Sequence, residues 1–167
     1  VAKRRAIEVV DKQWGNDLIA SWNLHSWIDL PAHVGQKIAP LIGAAADQTI
    51  CCDSVSVNLF KLLICALNIN NERQSILSTK DNFTTDLYIA EGVQRLLNNG
   101  RRHLELVERH ELGIRLEEKP AVLLLTHTDF RTGATLDIEE LNNQAHSTAT
   151  LVIWDLSCLF YTFPRHR

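Results

Sequence analysis

The sequence predicts an α/β domain built on a mainly parallel sheet with helices on both faces. Three observations predict it. Short continuous apolar runs, such as Ala121-Val122-Leu123-Leu124-Leu125 and Thr150-Leu151-Val152-Ile153-Trp154, alternate with helical patterns beyond Asp47, and strands buried on both faces read as unbroken apolar runs of this kind. Polar residues, several of them Ser, Thr or Asp, follow the runs and open the next helix. Of 167 residues, 46% are hydrophobic, and 17 Lys+Arg against 20 Asp+Glu leave a net charge of −3, the balance of one globular domain.

From Ala2 to about Trp22, the residues Ala6, Val9, Val10, Trp14 and Leu18 recur at helical spacing among charges, which predicts an amphipathic helix. A Trp-rich linker, Trp22 to Pro31, follows. His33 to Gly43 carries Val34, Ile38, Leu41 and Ile42 on a helical period, with Gly43 placed as a C-cap. Next come the apolar run Thr49-Ile50-Cys51-Cys52, a helix over 56–68, the run Ser75-Ile76-Leu77-Ser78, a helix over 84–98 ended by the turn Asn98-Asn99-Gly100, and the run Leu104-Glu105-Leu106-Val107. The last two strands, 121–125 and 150–154, flank a helix opened by Asp137, with Glu140 three residues on as in a capping box. Residues 157–167 follow neither period, so the domain reads as cut short. The chain divides into 1–46, a helical segment with its linker; 47–156, the sheet domain; and 157–167, the tail.

Basic residues are dispersed, which argues against a nucleic-acid partner. No apolar stretch approaches the ~18 residues of a membrane span, and Val1-Ala2-Lys3-Arg4-Arg5 leads into Glu8, Asp11 and Lys12 rather than a signal core. A cytoplasmic protein without membrane contact is expected. Cys51, Cys52, Cys65 and Cys158 form no CxxC and are read as packing thiols rather than a disulfide frame. The seven histidines show no HxxxH or HxH spacing, so no metal site is expected. Methionine is absent even at position 1, which marks a processed chain or a portion of something longer.

In open α/β sheets ligands bind beyond the carboxyl ends of the strands. The residues there are Asp53 to Asn58, Asn82 to Asp86, Thr126 to Asp129, and Asp155. Ser/Thr-bearing helix N-termini among them suit a phosphate, yet neither G-x-G-x-x-G nor G-x-x-x-x-G-K-[ST] is present. Sugar phosphates, flavin-like ligands and pyridoxal phosphate all remain in play on these residues alone.

The blocks Trp14-Gly15-Asn16-Asp17-Leu18-Ile19-Ala20-Ser21-Trp22-Asn23, Trp27-Ile28-Asp29-Leu30-Pro31, Asp53-Ser54-Val55-Ser56-Val57-Asn58-Leu59-Phe60-Lys61, Asn82-Phe83-Thr84-Thr85-Asp86-Leu87-Tyr88, Leu125-Thr126-His127, Arg131-Thr132-Gly133 and Trp154-Asp155-Leu156 together resemble kynureninase, in the family's order across roughly residues 12–156. The resemblance implies the three-layer large domain of a fold-type-I enzyme dependent on pyridoxal 5'-phosphate. It also implies a homodimer that hydrolyses L-kynurenine or 3-hydroxykynurenine to anthranilate or 3-hydroxyanthranilate and L-alanine, in tryptophan catabolism leading to NAD biosynthesis. On this resemblance Asp155 matches the carboxylate that pairs with the pyridine nitrogen and keeps the cofactor an electron sink. Phe83 matches the aromatic stacked on the ring, Val55 and Ser56 the phosphate-holding pair, Thr126 a further cofactor contact, and Thr84, Thr85 and Asp86 the rest of the cofactor-contacting tetrapeptide. Trp22 matches a residue lining the substrate pocket.

The departures concern the same site. Val55 stands where a hydroxyl residue is usual, Thr84 where proline is common, and Cys158 where the family has a cofactor-site histidine. The Tyr-Lys pair bearing the Schiff-base lysine, the phosphate-site tryptophan and the substrate-binding arginine of the small domain have no counterpart, and all six lysines precede Asp155. The chain is therefore expected to lack catalytic residues and to be inactive alone. The alternative expectation is a non-catalytic remnant that binds a phosphate ligand or a partner.

Overall fold

A computed structural model describes residues 1–97 and 103–157. The turn expected at Asn98-Asn99-Gly100, and Cys158 with the rest of the tail, lie outside the described residues. The chain forms two units, Val1–Asp53 and Ser54 onward.

The first unit is a series of short helices. Helix α1 (Ala2–Glu8) widens into a π-turn over Val9–Trp14 and stops. The single helix expected to run to Trp22 breaks here because Gly15-Asn16-Asp17 favours turns over helix, and Leu18 takes a left-handed φ of 46°. A 3-10 turn at Leu18–Ala20, helix α2 (Ser21–Leu24), a second 3-10 turn at Trp27–Asp29 and helix α3 (Leu30–Ile38) follow. Buried Gln13 ties them together: its Oε1 accepts from Trp27 Nε1 at 2.8 Å and its carbonyl accepts from the Ser21 hydroxyl. Gly35 of α3 lies against the Thr49 carbonyl, where a Cβ would sit 2.0 Å from the oxygen. The run Thr49-Ile50-Cys51-Cys52 is not a strand. Ile50 is 65% exposed, and the Cys51 amide donates to Pro31 O at 3.0 Å instead of joining a sheet. Cys51, Cys52 and Cys65 are exposed rather than packed. Apolar composition does not bury a segment that has no neighbouring strand to pair with.

The second unit carries the sheet. Helix α4 (Val55–Ile69) is capped by Ser54, whose Oγ accepts from Val57 N at 3.4 Å. The cap is therefore Ser54, with Ser56 inside the first turn. Buried Leu59, Leu63, Ala66 and Leu67 form its inner stripe. Strand β1 (Ser75–Thr79), helix α5 (Thr84–Leu97), strand β2 (His103–Val107), helix α6 (Leu112–Leu116), strand β3 (Val122–Thr126), helix α7 (Ile138–Ser147) and strand β4 (Leu151–Asp155) complete it.

The four strands are parallel in the order β2-β1-β3-β4. Central β3 is buried at every position, which is why its sequence does not alternate. On one face Val122, Leu124 and Ile153 pack with Leu59, Leu63 and Leu67 of α4 and Ala90 and Val93 of α5. On the other face Leu77, Leu123 and Leu125 pack with Leu112 and Leu116 of α6 and Leu141 and Ala145 of α7. These layers are the three-layer α/β architecture expected from the sequence.

Asp137 caps α7, its Oδ1 accepting from Glu140 N at 2.9 Å. Replacing Asp137 with alanine should lower stability by about 1 kcal/mol. A urea midpoint unchanged from the parent chain would contradict this role for the carboxylate.

Candidate functional site

The sheet has one switch point. Strand β1 continues to β2 on one side while β3 continues to β4 on the other, so the loops after β1 and β3 diverge and leave a crevice at their carboxyl ends. Thr126 and Asp155 are register partners at that end of β3 and β4. They lie two residues beyond Leu124 and Ile153, which face α4 and α5, and the two-residue period points Thr126 and Asp155 the same way.

Asn82 fastens the β1 loop to β3. Its Oδ1 accepts from Thr126 N at 2.7 Å, and its Nδ2 donates to Ser78 Oγ at 3.0 Å, which in turn donates to Leu124 O at 2.7 Å. Phe83 follows, its amide donating to Thr126 Oγ1 at 3.4 Å, and Thr126 Oγ1 donates to Asp86 Oδ2 at 3.4 Å. The Phe83 ring is 37% exposed and meets the Phe130 ring edge to face, with centroids 5.3 Å apart.

Asp86 is 1% exposed and faces Asp155. Burial pushes its carboxyl up to about 7, helped by the Asp155 charge and a carboxyl–carboxyl hydrogen bond and opposed by the bond from Thr126. Asp155 Oδ1 accepts from Ser157 N at 2.8 Å and from the Ser157 hydroxyl. A hollow of about 170 Å³ separates Asp155 from the start of α4, lined by Val55, Asn58, Leu59, Leu62, Ile153 and Trp154. The arrangement sets an acid pair that favours a cation beside a helix N-terminus that favours an anion.

The structure thus gathers Phe83, Asp86, Thr126 and Asp155 into one bonded group and brings Val55 to the same hollow as Asp155. Ser56 is the next residue of α4 and is half-buried. Thr84 and Thr85 are exposed on the first turn of α5, where Thr84 lines a separate hollow with Tyr88, Leu104 and Leu106. Trp22 belongs to the first unit, where it lines a hollow with Trp27, Leu30, Pro31, Val34 and Cys51. His127 sits edge-on to Trp154 at 6.3 Å, with Nδ1 3.1 Å from Thr128 Oγ1, a structural setting on the sheet face opposite Thr126. Among the described residues no group of three or more His, Cys, Asp or Glu could hold a metal ion, and no helix is long and apolar enough to cross a membrane.

Sequence reasoning singled out neither Asn82 nor Asp129 as a site residue. Asp129 is 7% exposed, and its Oδ1 accepts from Arg131 N at 2.8 Å and Thr132 N at 3.1 Å. The Arg131 amide and guanidinium, with the Thr132 amide, hold its carboxyl down at about 2. The one advance signal was the position of both residues within polar clusters directly after apolar runs.

No family model matches the chain. It is 40% identical over 161 residues to the kynureninase of Pseudomonas fluorescens, covering 93% of this chain and 38% of that protein. It is 37% identical over 160 residues to the kynureninase of Burkholderia mallei (strain SAVP1), and 39% identical over 158 residues to that of Deinococcus radiodurans, again covering 38% of each. The chain therefore spans well under half the length of these relatives. Among solved structures, a NifS-like protein superposes with a TM-score of 0.68 at 14% identity, over 89% of this chain and 43% of that one, a likeness of fold. Over the stretch it spans, the chain is similar in sequence to the kynureninases and shares the three-layer α/β fold of the NifS-like protein.

Proposed function

We propose that the crevice at the ends of β1, β3 and β4 holds pyridoxal 5'-phosphate, and that the chain contributes this cofactor half of a kynureninase site. The observation that carries the reading is the facing pair Asp86 and Asp155 at the switch point, one hollow away from the N-terminus of α4. A ligand with a ring cation at one end and a phosphate at the other fits that pairing of charges.

In this reading the free amides of Val55 and Ser56 bind phosphate oxygens along the helix dipole. The loss of a hydroxyl at Val55 leaves its backbone donor intact. Phe83 packs on the pyridine ring, and Thr126 bonds the cofactor from the β3 end. Asp155 holds the proton at the ring nitrogen, while Asp86, its carboxyl pushed up to about 7, donates to Asp155 in its protonated form and keeps that oxygen oriented. Thr84 and Thr85 begin the helix that carries Asp86. When bound, the cofactor supplies the electron sink needed to cleave the side chain of kynurenine or 3-hydroxykynurenine.

The protein as a whole acts, in this proposal, as a cytoplasmic homodimer in tryptophan breakdown. The chain alone does not turn over kynurenine, because none of its six lysines lies in the family's Schiff-base context. Pyridoxine 5'-phosphate, which has no aldehyde to react with stray lysines, is the probe. Isothermal titration calorimetry is expected to show it binding saturably and being displaced by inorganic phosphate, with no kynurenine consumed when pyridoxal 5'-phosphate is supplied instead. Absence of saturable binding, or binding indifferent to phosphate, would overturn the cofactor reading. Turnover by the chain alone would overturn its assignment as a non-catalytic half.

A further inference from the structure

Loops leave the carboxyl ends of β1, β2 and β3, and one side chain from the middle of the sequence reaches the other two. Arg109 opens the 3-10 turn after β2. Its Nε donates to Asp81 Oδ2 at 2.6 Å on the β1 loop, and its terminal nitrogen reaches Asp129 Oδ2 at 3.4 Å on the β3 loop. Asp81 lies two residues before Phe83, and Asp129 immediately precedes Phe130. The two rings meet at 88° across the gap between the loops.

Neither ring is held by the core. Phe83 is 37% and Phe130 53% exposed. The Phe83 backbone is tied to the start of α5, its carbonyl accepting from Asp86 N at 3.0 Å and Leu87 N at 3.2 Å, while its amide bond across to Thr126 Oγ1 is long at 3.4 Å, and none of these bonds fixes the ring itself. Such an edge-to-face pair contributes only about 0.5–1.5 kcal/mol of its own, so the orientation of Phe83 depends on what fixes the two loops. The Arg109 side chain, 30% exposed, is the better shielded of two cationic ties. The second, Arg131, is 52% exposed, donates to Asp81 O at 3.0 Å and lies over the Phe130 ring at 5.2 Å. A guanidinium suits this place because its rigid fork engages acceptors on two loops at once, which a lysine ammonium on a flexible stem does poorly.

We propose that Arg109, through Asp81 and Asp129, is a positioning residue that clamps the Phe83–Phe130 pair and so presents the Phe83 ring to the ligand. The proposal rests on the reading of Phe83 as the ring that packs on the cofactor.

The test measures pyridoxine 5'-phosphate and inorganic phosphate affinities for the full chain and for R109Q, R109K, F83L and the double variant R109Q/F83L. R109Q and F83L are each expected to weaken pyridoxine 5'-phosphate about tenfold, from the loss of one aromatic contact. Inorganic phosphate affinity stays unchanged, R109K recovers part of the loss, and the double variant binds no worse than F83L. Multiplying losses in the double variant, or a parallel loss of inorganic phosphate, would show Arg109 supporting the fold generally and overturn the clamp. If the parent chain binds no pyridoxine 5'-phosphate, the cofactor reading fails by itself, and fluorine NMR on chain labelled with 4-fluorophenylalanine decides the clamp without ligand. R109Q should then move the Phe83 and Phe130 resonances and leave that of Phe60 in place. Unmoved Phe83 and Phe130 signals would overturn the proposal.

Discussion

Asp155→Asn should weaken pyridoxine 5'-phosphate binding on the order of 100-fold, or about 2.7 kcal/mol, the scale of a lost charge-assisted contact in a partly dry site. Asparagine keeps the shape of the side chain and its acceptor for the Ser157 amide, so the strand end should stay in place. What disappears is the negative charge opposite a protonated ring nitrogen. Benzyl phosphate, which carries an aromatic ring and a phosphate but no basic nitrogen, provides the control. Its affinity should be the same for the parent chain and Asp155→Asn, because the amides of α4 and the Phe83 ring are untouched. Equal losses for both ligands would place the effect in the fold rather than in an ion pair. No loss for either would remove Asp155 from the ligand's surroundings.

The second large effect is on stability against pH. Asp86 holds its proton up to about 7 in the folded chain, against an ordinary value of 3.8. Between those two values the folded state binds a proton that the unfolded state has released, so stability falls as pH rises. The contribution is complete below about 3.8 and gone above about 7, and its size is on the order of a few kcal/mol. Asp129 works in the opposite direction and in a different window. Its carboxyl is held at about 2, so its contribution is present above 3.8 and lost only as pH falls toward 2.

Asp86→Asn stays neutral throughout and keeps an oxygen for Thr126. It should flatten the decline between pH 5 and pH 8 and leave the variant more stable than the parent at pH 8. Urea titrations at the two pH values measure this directly. Parallel declines in parent and variant would mean that Asp86 does not carry the excess proton. A ligand cation beside Asp155 relieves the repulsion between the two carboxyl groups, so pyridoxine 5'-phosphate should stabilise the parent more at pH 8 than it stabilises Asp86→Asn.

Much of the second unit was legible in advance. The runs 75–78, 104–107, 121–125 and 150–154 became β1, β2, β3 and β4 within a residue or so, since an unbroken apolar run beside turn residues has few other folded uses. The helices expected over 56–68 and from Thr84 were equally clear from their buried stripes. The same reasoning misled at Thr49-Ile50-Cys51-Cys52, where an apolar run found no strand to pair with and stayed exposed. It also overextended α1, where Gly15-Asn16-Asp17 outweighed a helical period that continued on both sides. Roles for Val55, Ser56, Phe83, Thr126 and Asp155 came from family resemblance, since no periodicity separates a cofactor ligand from a cap or a strand-end turn.

By itself the sequence determined the class of fold and which residues stand at the strand ends, because hydrophobic period and turn chemistry act over a few neighbouring residues. Only the tertiary structure decided that Asp86 meets Asp155, that Asn82 bonds the start of the β3 loop, and that Arg109 joins Asp81 to Asp129. These partners lie tens of residues apart, and their meeting depends on the strand order β2-β1-β3-β4. That order is set by how the helices pack across both faces of the sheet, a collective property that no local stretch of chain carries.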